Sequence, residues 1–74
     1  ALGDLRQYEE AVASYERAIA LKHDYADAYF NRGVALAELG RPVQAIESYD
    51  RAIAFNPGYA EVHNNRGIAL DHLK

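Results

Sequence analysis

Residues 26–59 read ADAYFNRGVALAELGRPVQAIESYDRAIAFNPGY, and the flanking residues on both sides repeat parts of this stretch. When the chain is shifted by 34 residues, 18 of the 40 aligned pairs are identical. The identical pairs include Ser14/Ser48, Tyr15/Tyr49, Asn31/Asn65, Arg32/Arg66 and Gly33/Gly67. A repeat of this period indicates an array of similar structural units, each of which covers an apolar face of the next.

Each period contains two helical segments joined by a short turn. Apolar residues recur every three or four positions between Tyr8 and Ile19, and charged residues occupy the opposite face, as in an amphipathic helix. Residues 26–39 are apolar on more than one side, so we expect that helix to have neighbours on both sides. The sequence therefore predicts an all-α fold of about four antiparallel helices, over residues 8–22, 26–39, 42–55 and 60–73.

The helix boundaries carry recognisable signals. Asp24 and Gly58 precede the second and fourth helices and are predicted to be their N-cap residues. Gly40 suits the residue that follows the end of a helix, and Pro42 suits the first turn of the next one. The connections predicted from these signals are only three or four residues long, which forces neighbouring helices to be antiparallel.

The pattern is similar to the tetratricopeptide repeat, a family of 34-residue helix–turn–helix units. The resemblance rests on Tyr29, Gly33, Leu36, Ala45, Tyr49, Ala52 and Pro57. Arg32 and Arg66 depart from the family pattern, because leucine is usual at their position. The resemblance implies a short right-handed α-solenoid in which each unit is a helix A followed by a helix B. Gly33 and Gly67 are then predicted to face Ala45 and Ala52, which allows the helix axes to approach closely.

The phase of the repeat divides the chain into three parts. Residues 1–25 form a partial repeat made mostly of helix B, residues 26–59 a complete repeat, and residues 60–74 a partial repeat with helix A. We expect the chain to be a piece of a longer array, with apolar faces at both ends that neighbouring repeats would cover.

The resemblance also implies a binding site on the A helices, which line the concave groove of such arrays. Asn31 and Asn65 resemble the asparagine ladder in the repeats of O-linked N-acetylglucosamine transferase, where amides hold an extended peptide backbone. An amide both donates and accepts hydrogen bonds, so it can hold a backbone without reading side chains. Alternatively, the two amides only satisfy a neighbouring loop or carbonyl group. The predicted site residues are Asn31, Asn65, Phe30, Val34, Asn64, Ile68, Asp27 and Glu38. The groove around them is also expected to show Ala37, Glu61, Asp71 and His72.

Such a groove favours a neutral or mildly basic extended segment as ligand. Family members that clamp a C-terminal carboxylate place Lys or Asn where this chain has Phe30, Val34 and Glu61. For Arg32 and Arg66 we favour a structural role, with the stem packed between helices and the head paired with an acid, over contact with a ligand carboxylate.

The leading hypothesis is therefore a non-catalytic scaffold module that binds a protein or an extended peptide. Nothing in the sequence resembles a nucleophile–base pair, a glycine-rich phosphate loop or a carboxylate dyad, and no cofactor is expected. His23, His63 and His72 lack the spacing and the companion ligands of a metal site.

Two alternatives stay open. The chain could be an assembly element, in which the last helix of one molecule docks on the first helix of the next and continues the array head to tail. Residues 5–8 lack the glycine and proline that separate the later helices, so residues 1–22 could instead form one helix that swaps between molecules. The other alternative is a substrate-recruiting part of a larger enzyme, such as a glycosyltransferase.

The bulk composition disfavours other classes of partner. The net charge is −3 and the eight basic residues are spread along the chain, which argues against nucleic acid. No apolar run approaches the roughly 20 residues of a membrane-spanning helix, so no membrane association is expected. The absence of cysteine and of an export signal fits a reducing compartment, and we expect a cytoplasmic location.

Overall fold

The computed structural model describes residues 2–73, with side chains from residue 5 onward. Four α-helices make up this part of the chain: α1 (Leu2–Leu21), α2 (Ala26–Glu38), α3 (Pro42–Phe55) and α4 (Ala60–His72). Consecutive helices pack against each other, and α2 also contacts α4. The described part contains no strand, so the predicted all-α fold of four helices is confirmed. Ala1 and Lys74, which the predicted repeat divisions include, lie outside the described residues.

The turn between α2 and α3 follows the predicted signals. Gly40 has a φ of 75°, a left-handed conformation that suits glycine, and it directly follows the C-cap residue Leu39. The Gly40 N–H donates to the Ala37 carbonyl, and the Arg41 N–H donates to the Leu36 carbonyl at 2.9 Å. This pair of bonds is the Schellman motif, which ends the helix. Pro42 then occupies the first turn of α3, where its missing N–H is harmless.

The corresponding stretch of the first period has no such turn. Arg6 and Tyr8 stand where Gly40 and Pro42 stand one repeat later, and both can continue a helix. As a result α1 runs without a break from Leu2 to Leu21, and the predicted start of the first helix at residue 8 is wrong. The sequence left open whether a helix begins at residue 8 or runs through this region, and the structure has the continuous helix.

The predicted N-cap residues are each one position too early. Tyr25 caps α2 and Tyr59 caps α4, and neither forms a side-chain capping bond. The Tyr25 carbonyl accepts from the Tyr29 N–H, and the Tyr59 carbonyl accepts from the His63 N–H, both at 3.3 Å. Asp24 therefore lies in the turn before the helix, as does its counterpart Gly58.

The core lies between α2, α3 and α4. Its buried members are Leu36, Ala45, Tyr49, Ala52, Val62 and Ala69. Ala45 and Ala52 have no exposed surface, and their small side chains allow α3 to lie close to its neighbours. Tyr49 is the largest fully buried side chain of the described residues and fills the space that the alanines leave.

The two helical glycines differ in their surroundings. A Cβ atom added to Gly33 would overlap the Tyr49 ring, at 2.6 Å from its Cδ1 atom, so the missing side chain makes room for the tyrosine. The predicted close approach of α3 at Gly33 is confirmed, but the residue that Gly33 faces is Tyr49 and not the predicted Ala45 or Ala52. At Gly67 an added Cβ would meet nothing within 4 Å, so its predicted contact with the α3 alanines is wrong.

Candidate functional site

A cleft of about 220 Å³ lies between α2 and α4. Its lining residues are Val34, Ala37, Glu38, Tyr49, Asn65, Ile68, Ala69 and His72. The α4 residues follow one another at spacings of three, one and three positions, which places them on one face of the helix. The α3 helix contributes Tyr49, so the cleft has walls of helix A and an aromatic side chain of helix B below them. We call this cleft, defined by these residues, the groove.

Four of the eight predicted site residues line the groove together. Val34 and Glu38 come from α2, and Asn65 and Ile68 come from α4. The half-exposed Ile68 and the half-buried Val34 give the groove apolar walls, and Glu38 adds a carboxylate. The structure therefore brings one of the two predicted asparagines into the groove.

The other predicted residues lie elsewhere. Asn31 and Asn64 are exposed and do not line the groove. Phe30 packs its ring against the ring of Tyr59 at a centroid distance of 5.2 Å and against Tyr49 at 6.2 Å. Its main contacts are thus with other aromatic rings of the fold.

Asp27 is also engaged within the fold. It is hydrogen-bonded to the Tyr59 side chain. Burial, followed by the hydrogen bond and the negative charge of Asp27, raises the pKa of Tyr59 to about 12. Asp27 and Phe30 together hold Tyr59 at the start of α4, so they position the helix that carries Asn65.

Asn65 is hydrogen-bonded to Tyr49 at the base of the groove. Burial raises the pKa of the Tyr49 hydroxyl, and the hydrogen bond from Asn65 acts in the opposite direction. The Asn65 amide therefore lies at the base of the groove, where its donor and acceptor groups are close to the space that a ligand would fill.

Arg32 and Arg66 have the structural role that the sequence predicts. Arg32 donates from Nη1 to Ser48 Oγ at 2.7 Å and from Nη2 to Glu16 at 3.1 Å, linking α2 to both of its neighbours. Arg66 donates from Nε to Asp50 at 2.6 Å. Since both arginines bind acids of the preceding helix, neither needs a ligand carboxylate as partner.

A second cleft, of about 320 Å³, lies among α1, α2 and α3. It is lined by Glu16, Ile19, Tyr29, Arg32, Glu47 and Arg51. The acids and arginines in this lining already include the Arg32–Glu16 ion pair, so a charged ligand would compete with contacts that join the helices. The groove between α2 and α4 is therefore the better candidate site.

The histidines take no part in a metal cluster. His63 is exposed and its Nε2 lies 2.9 Å from the Pro57 carbonyl oxygen, which joins α4 to the preceding turn. Within the part of the chain that the structure describes, no three His, Cys, Asp or Glu side chains come together as metal ligands. None of its helices is long and apolar enough to cross a membrane.

Sequence reasoning missed Tyr49 and Ala69 as groove residues. The resemblance directs attention to the A helices, whereas Tyr49 belongs to a B helix and reads as a core residue. One signal could have identified it. The hydroxyl group of a buried tyrosine usually has a hydrogen-bond partner, so the tip of such a side chain lies beside polar groups.

Residues 2–40 match the family described as the TPR repeat, and residues 26–59 match the tetratricopeptide repeat. The first of these matches spans more than half of the chain. The chain belongs to the tetratricopeptide repeat family. Tetratricopeptide repeats are in general protein-interaction modules and non-catalytic scaffolds. A comparison with curated proteins returns no match.

Proposed function

We propose that this tetratricopeptide repeat chain binds an extended segment of another protein in the groove between α2 and α4. The observation that carries the proposal is the combination of apolar walls with an oriented amide at the base. Val34 and Ile68 can cover the side chains of a ligand, while Asn65 faces its backbone.

Asn65 is suited to hold a peptide backbone because Tyr49 fixes its orientation. An amide both donates and accepts, so the group that does not bond to Tyr49 can bond to the backbone of a ligand. An amide that is already oriented loses less conformational entropy on binding than a free one. Asn31 occupies the same place one repeat earlier and is exposed, so it would hold the next stretch of the ligand.

The charge of the groove indicates the kind of segment that it would bind. Glu38 lies on its wall, and among the described residues no lysine or arginine lines it. A lysine or arginine side chain of the ligand could therefore pair with Glu38, and an acidic segment would find no counter-charge. This favours a neutral or mildly basic protein segment over nucleic acid, in keeping with the net charge of −3.

Substrate recruitment for an attached enzyme would use the same contacts. If the chain belongs to a longer polypeptide with a catalytic domain, the groove would bind the protein substrate rather than take part in the reaction. The residues concerned are again Asn65 and the apolar walls.

A library of unstructured peptides displayed on phage provides the ligands for a test. Peptides enriched on the wild-type chain are titrated against Asn65→Ala and against Asn64→Ala, the neighbouring amide outside the groove. We expect Asn65→Ala to weaken binding about tenfold, because the ligand backbone loses a hydrogen-bond partner, and Asn64→Ala to leave it unchanged.

Tyr49→Phe tests whether the hydroxyl group that holds Asn65 contributes to ligand binding. It removes the hydroxyl that holds Asn65 and keeps the buried ring, so binding should weaken although no ligand atom needs to touch Tyr49. Circular dichroism of each variant shows whether the helices are retained. Equal affinity of the wild-type chain and Asn65→Ala for every selected peptide would rule out the groove as the binding site.

A further inference from the structure

The packing of α2 against α3 depends on two specific contacts at adjacent positions. Arg32 donates to the hydroxyl of Ser48, which is fully buried. Gly33 makes room for the ring of Tyr49, which is 2% exposed. These contacts lie in the most extensive helix–helix packing of the described chain.

The same four residue types occur again on α4 and α1, without these contacts. On α4 the equivalents are Arg66 and Gly67, and on α1 they are Ser14 and Tyr15. Gly67 has open space where Gly33 meets a ring, and Ser14 is exposed where Ser48 is buried. Arg66 donates its Nε to Asp50, and no bond from its terminal nitrogens is found among residues 5–73.

We propose that α4 is an interaction surface for a second copy of this chain, and that it packs against α1 of that copy as α2 packs against α3. In this arrangement Arg66 donates to Ser14 of the second copy, and Tyr15 of the second copy packs over Gly67. The surface lies outside the groove, so the proposal does not depend on peptide binding.

The fit is argued from contacts that the chain already makes within itself. A tyrosine ring needs a position without a Cβ atom to pack this closely, and α4 offers one at Gly67. The Arg66 guanidinium has N–H groups besides the one that bonds to Asp50, and the exposed Ser14 hydroxyl of a second copy can accept from them. Apolar residues around these pairs remain partly exposed, including Leu70 on α4 and Leu73 at its C-cap.

The contact joins different surfaces of the two molecules, so it leaves one α4 surface and one α1 surface unused. Such a heterologous contact propagates unless the rotation between copies closes a ring. We therefore expect species of increasing mass as the concentration rises. A dimer formed by swapping α1 between two molecules would instead stop at two copies.

Sedimentation equilibrium of the chain over micromolar to millimolar concentrations tests the proposal with three variants. In Gly67→Ala, the new methyl group has space in the monomer and would overlap Tyr15 of the second copy, so association should disappear. Gly58→Ala is the matched control, because it adds the same methyl group in open space before α4, and should associate as the wild type. Ser14→Ala should weaken association about tenfold, because Arg66 loses its acceptor.

Gly67→Ala should fold at least as well as the wild-type chain. Alanine is a better helix former than glycine, so its thermal unfolding midpoint should equal or exceed that of the wild type at low concentration. Loss of association in this variant then reports on the interface alone.

A mixing experiment tests the head-to-tail arrangement itself. Ser14→Lys places a cation opposite Arg66 and blocks the α1 surface, whereas Gly67→Ala blocks the α4 surface. Each variant alone should be monomeric, and their mixture should form a dimer through the one remaining pair of intact surfaces. A wild-type chain that stays monomeric at millimolar concentration, a Gly67→Ala variant that associates like the wild type, or a mixture without dimer would each overturn the proposal.

Discussion

The triplet Asn-Arg-Gly occurs at residues 31–33 in α2 and again at residues 65–67 in α4, in two different surroundings. In α2 the glycine is buried against Tyr49, and the arginine links the helices on both sides. In α4 the glycine is exposed, and the arginine binds one acid of α3. Since the residues are identical, the difference comes from the neighbouring helices. The energetic value of a repeat residue is thus decided by what covers it.

The largest expected effect separates the two equivalent tyrosines. Tyr49→Ala removes a ring that is 2% exposed, and should destabilise the fold by about 3–5 kcal/mol. Because a chain of 74 residues buries a modest core, this loss should leave Tyr49→Ala largely unfolded. Tyr15→Ala removes a half-buried ring and should cost about half as much. Urea unfolding followed by circular dichroism measures both.

The comparison would fail if Tyr15→Ala and Tyr49→Ala lost equal stability, since the two positions would then be covered to the same extent in solution. Tyr49→Phe is the control for the hydroxyl group, because it keeps the ring in place over Gly33.

The glycines should respond with opposite signs. Gly33→Ala forces the buried Tyr49 ring to move and should destabilise by about 1–3 kcal/mol, after the helix propensity of alanine has offset part of the strain. Gly67→Ala meets no neighbour and should stabilise the monomer by about 0.5–1 kcal/mol. Thermal unfolding at low protein concentration compares the two variants. A change of the same sign in both would contradict the packing described for α2 and α3.

The serines provide a smaller contrast. Ser48→Ala leaves Nη1 of Arg32 without its acceptor beside an Nε that is already buried and unpaired, and should cost about 1–2 kcal/mol. Ser14→Ala changes an exposed hydroxyl and should stay within about 0.5 kcal/mol of the wild type in dilute solution. Urea unfolding of the two variants under identical conditions makes the comparison. Equal losses would show that the bond from Arg32 adds nothing to stability.

The contrast between repeats also explains how far the sequence could predict this fold. Spacing of apolar residues predicts the four helices, and the Gly40–Pro42 signal predicts the turn that follows α2, because both act within a few residues of the chain. The predicted N-cap residues Asp24 and Gly58 are one position too early, because Tyr25 and Tyr59 accept the first helical N–H bonds with their backbone carbonyls. The helix start predicted at residue 8 is also decided locally. Arg6 and Tyr8 stand in place of a glycine and a proline, so α1 continues through this stretch.

The groove was predictable in part for the same reason. Val34 and Glu38 share a helical face, as do Asn65 and Ile68, so helical spacing alone brings each pair together. Phe30 and Asp27 are predicted beside them, but each contacts Tyr59, the N-cap residue of α4. Such contacts depend on how helices pack, which periodicity does not specify.

The smallest effect concerns a third repeat pair, Tyr25 and Tyr59. Tyr25 is 40% exposed, with the Lys22 ammonium 5.3 Å from its ring centroid, whereas Tyr59 is half-buried and bonded to Asp27. In the folded chain the pKa of Tyr59 is about 12, above the value of 10.0 for an unperturbed tyrosine. The unfolded chain therefore loses this proton first as the pH rises. The stabilising contribution of neutral Tyr59 is complete below pH 10 and is lost as the pH rises through about 12.

In a Tyr49→Phe background, which removes the other tyrosine whose pKa is raised, ultraviolet titration of the tyrosinate should accordingly show a last ionisation step near pH 12 that is absent in Tyr59→Phe and retained in Tyr25→Phe. At neutral pH, Tyr59→Phe should cost only about 0.5–1 kcal/mol, because it removes one hydrogen bond to Asp27 and keeps the ring against Phe30. Asp27→Asn should shift the same step to lower pH by removing the nearby negative charge. If the last step persisted in Tyr59→Phe, Tyr59 would not be held against Asp27, and the contact that positions α4 beside the groove would be absent in solution.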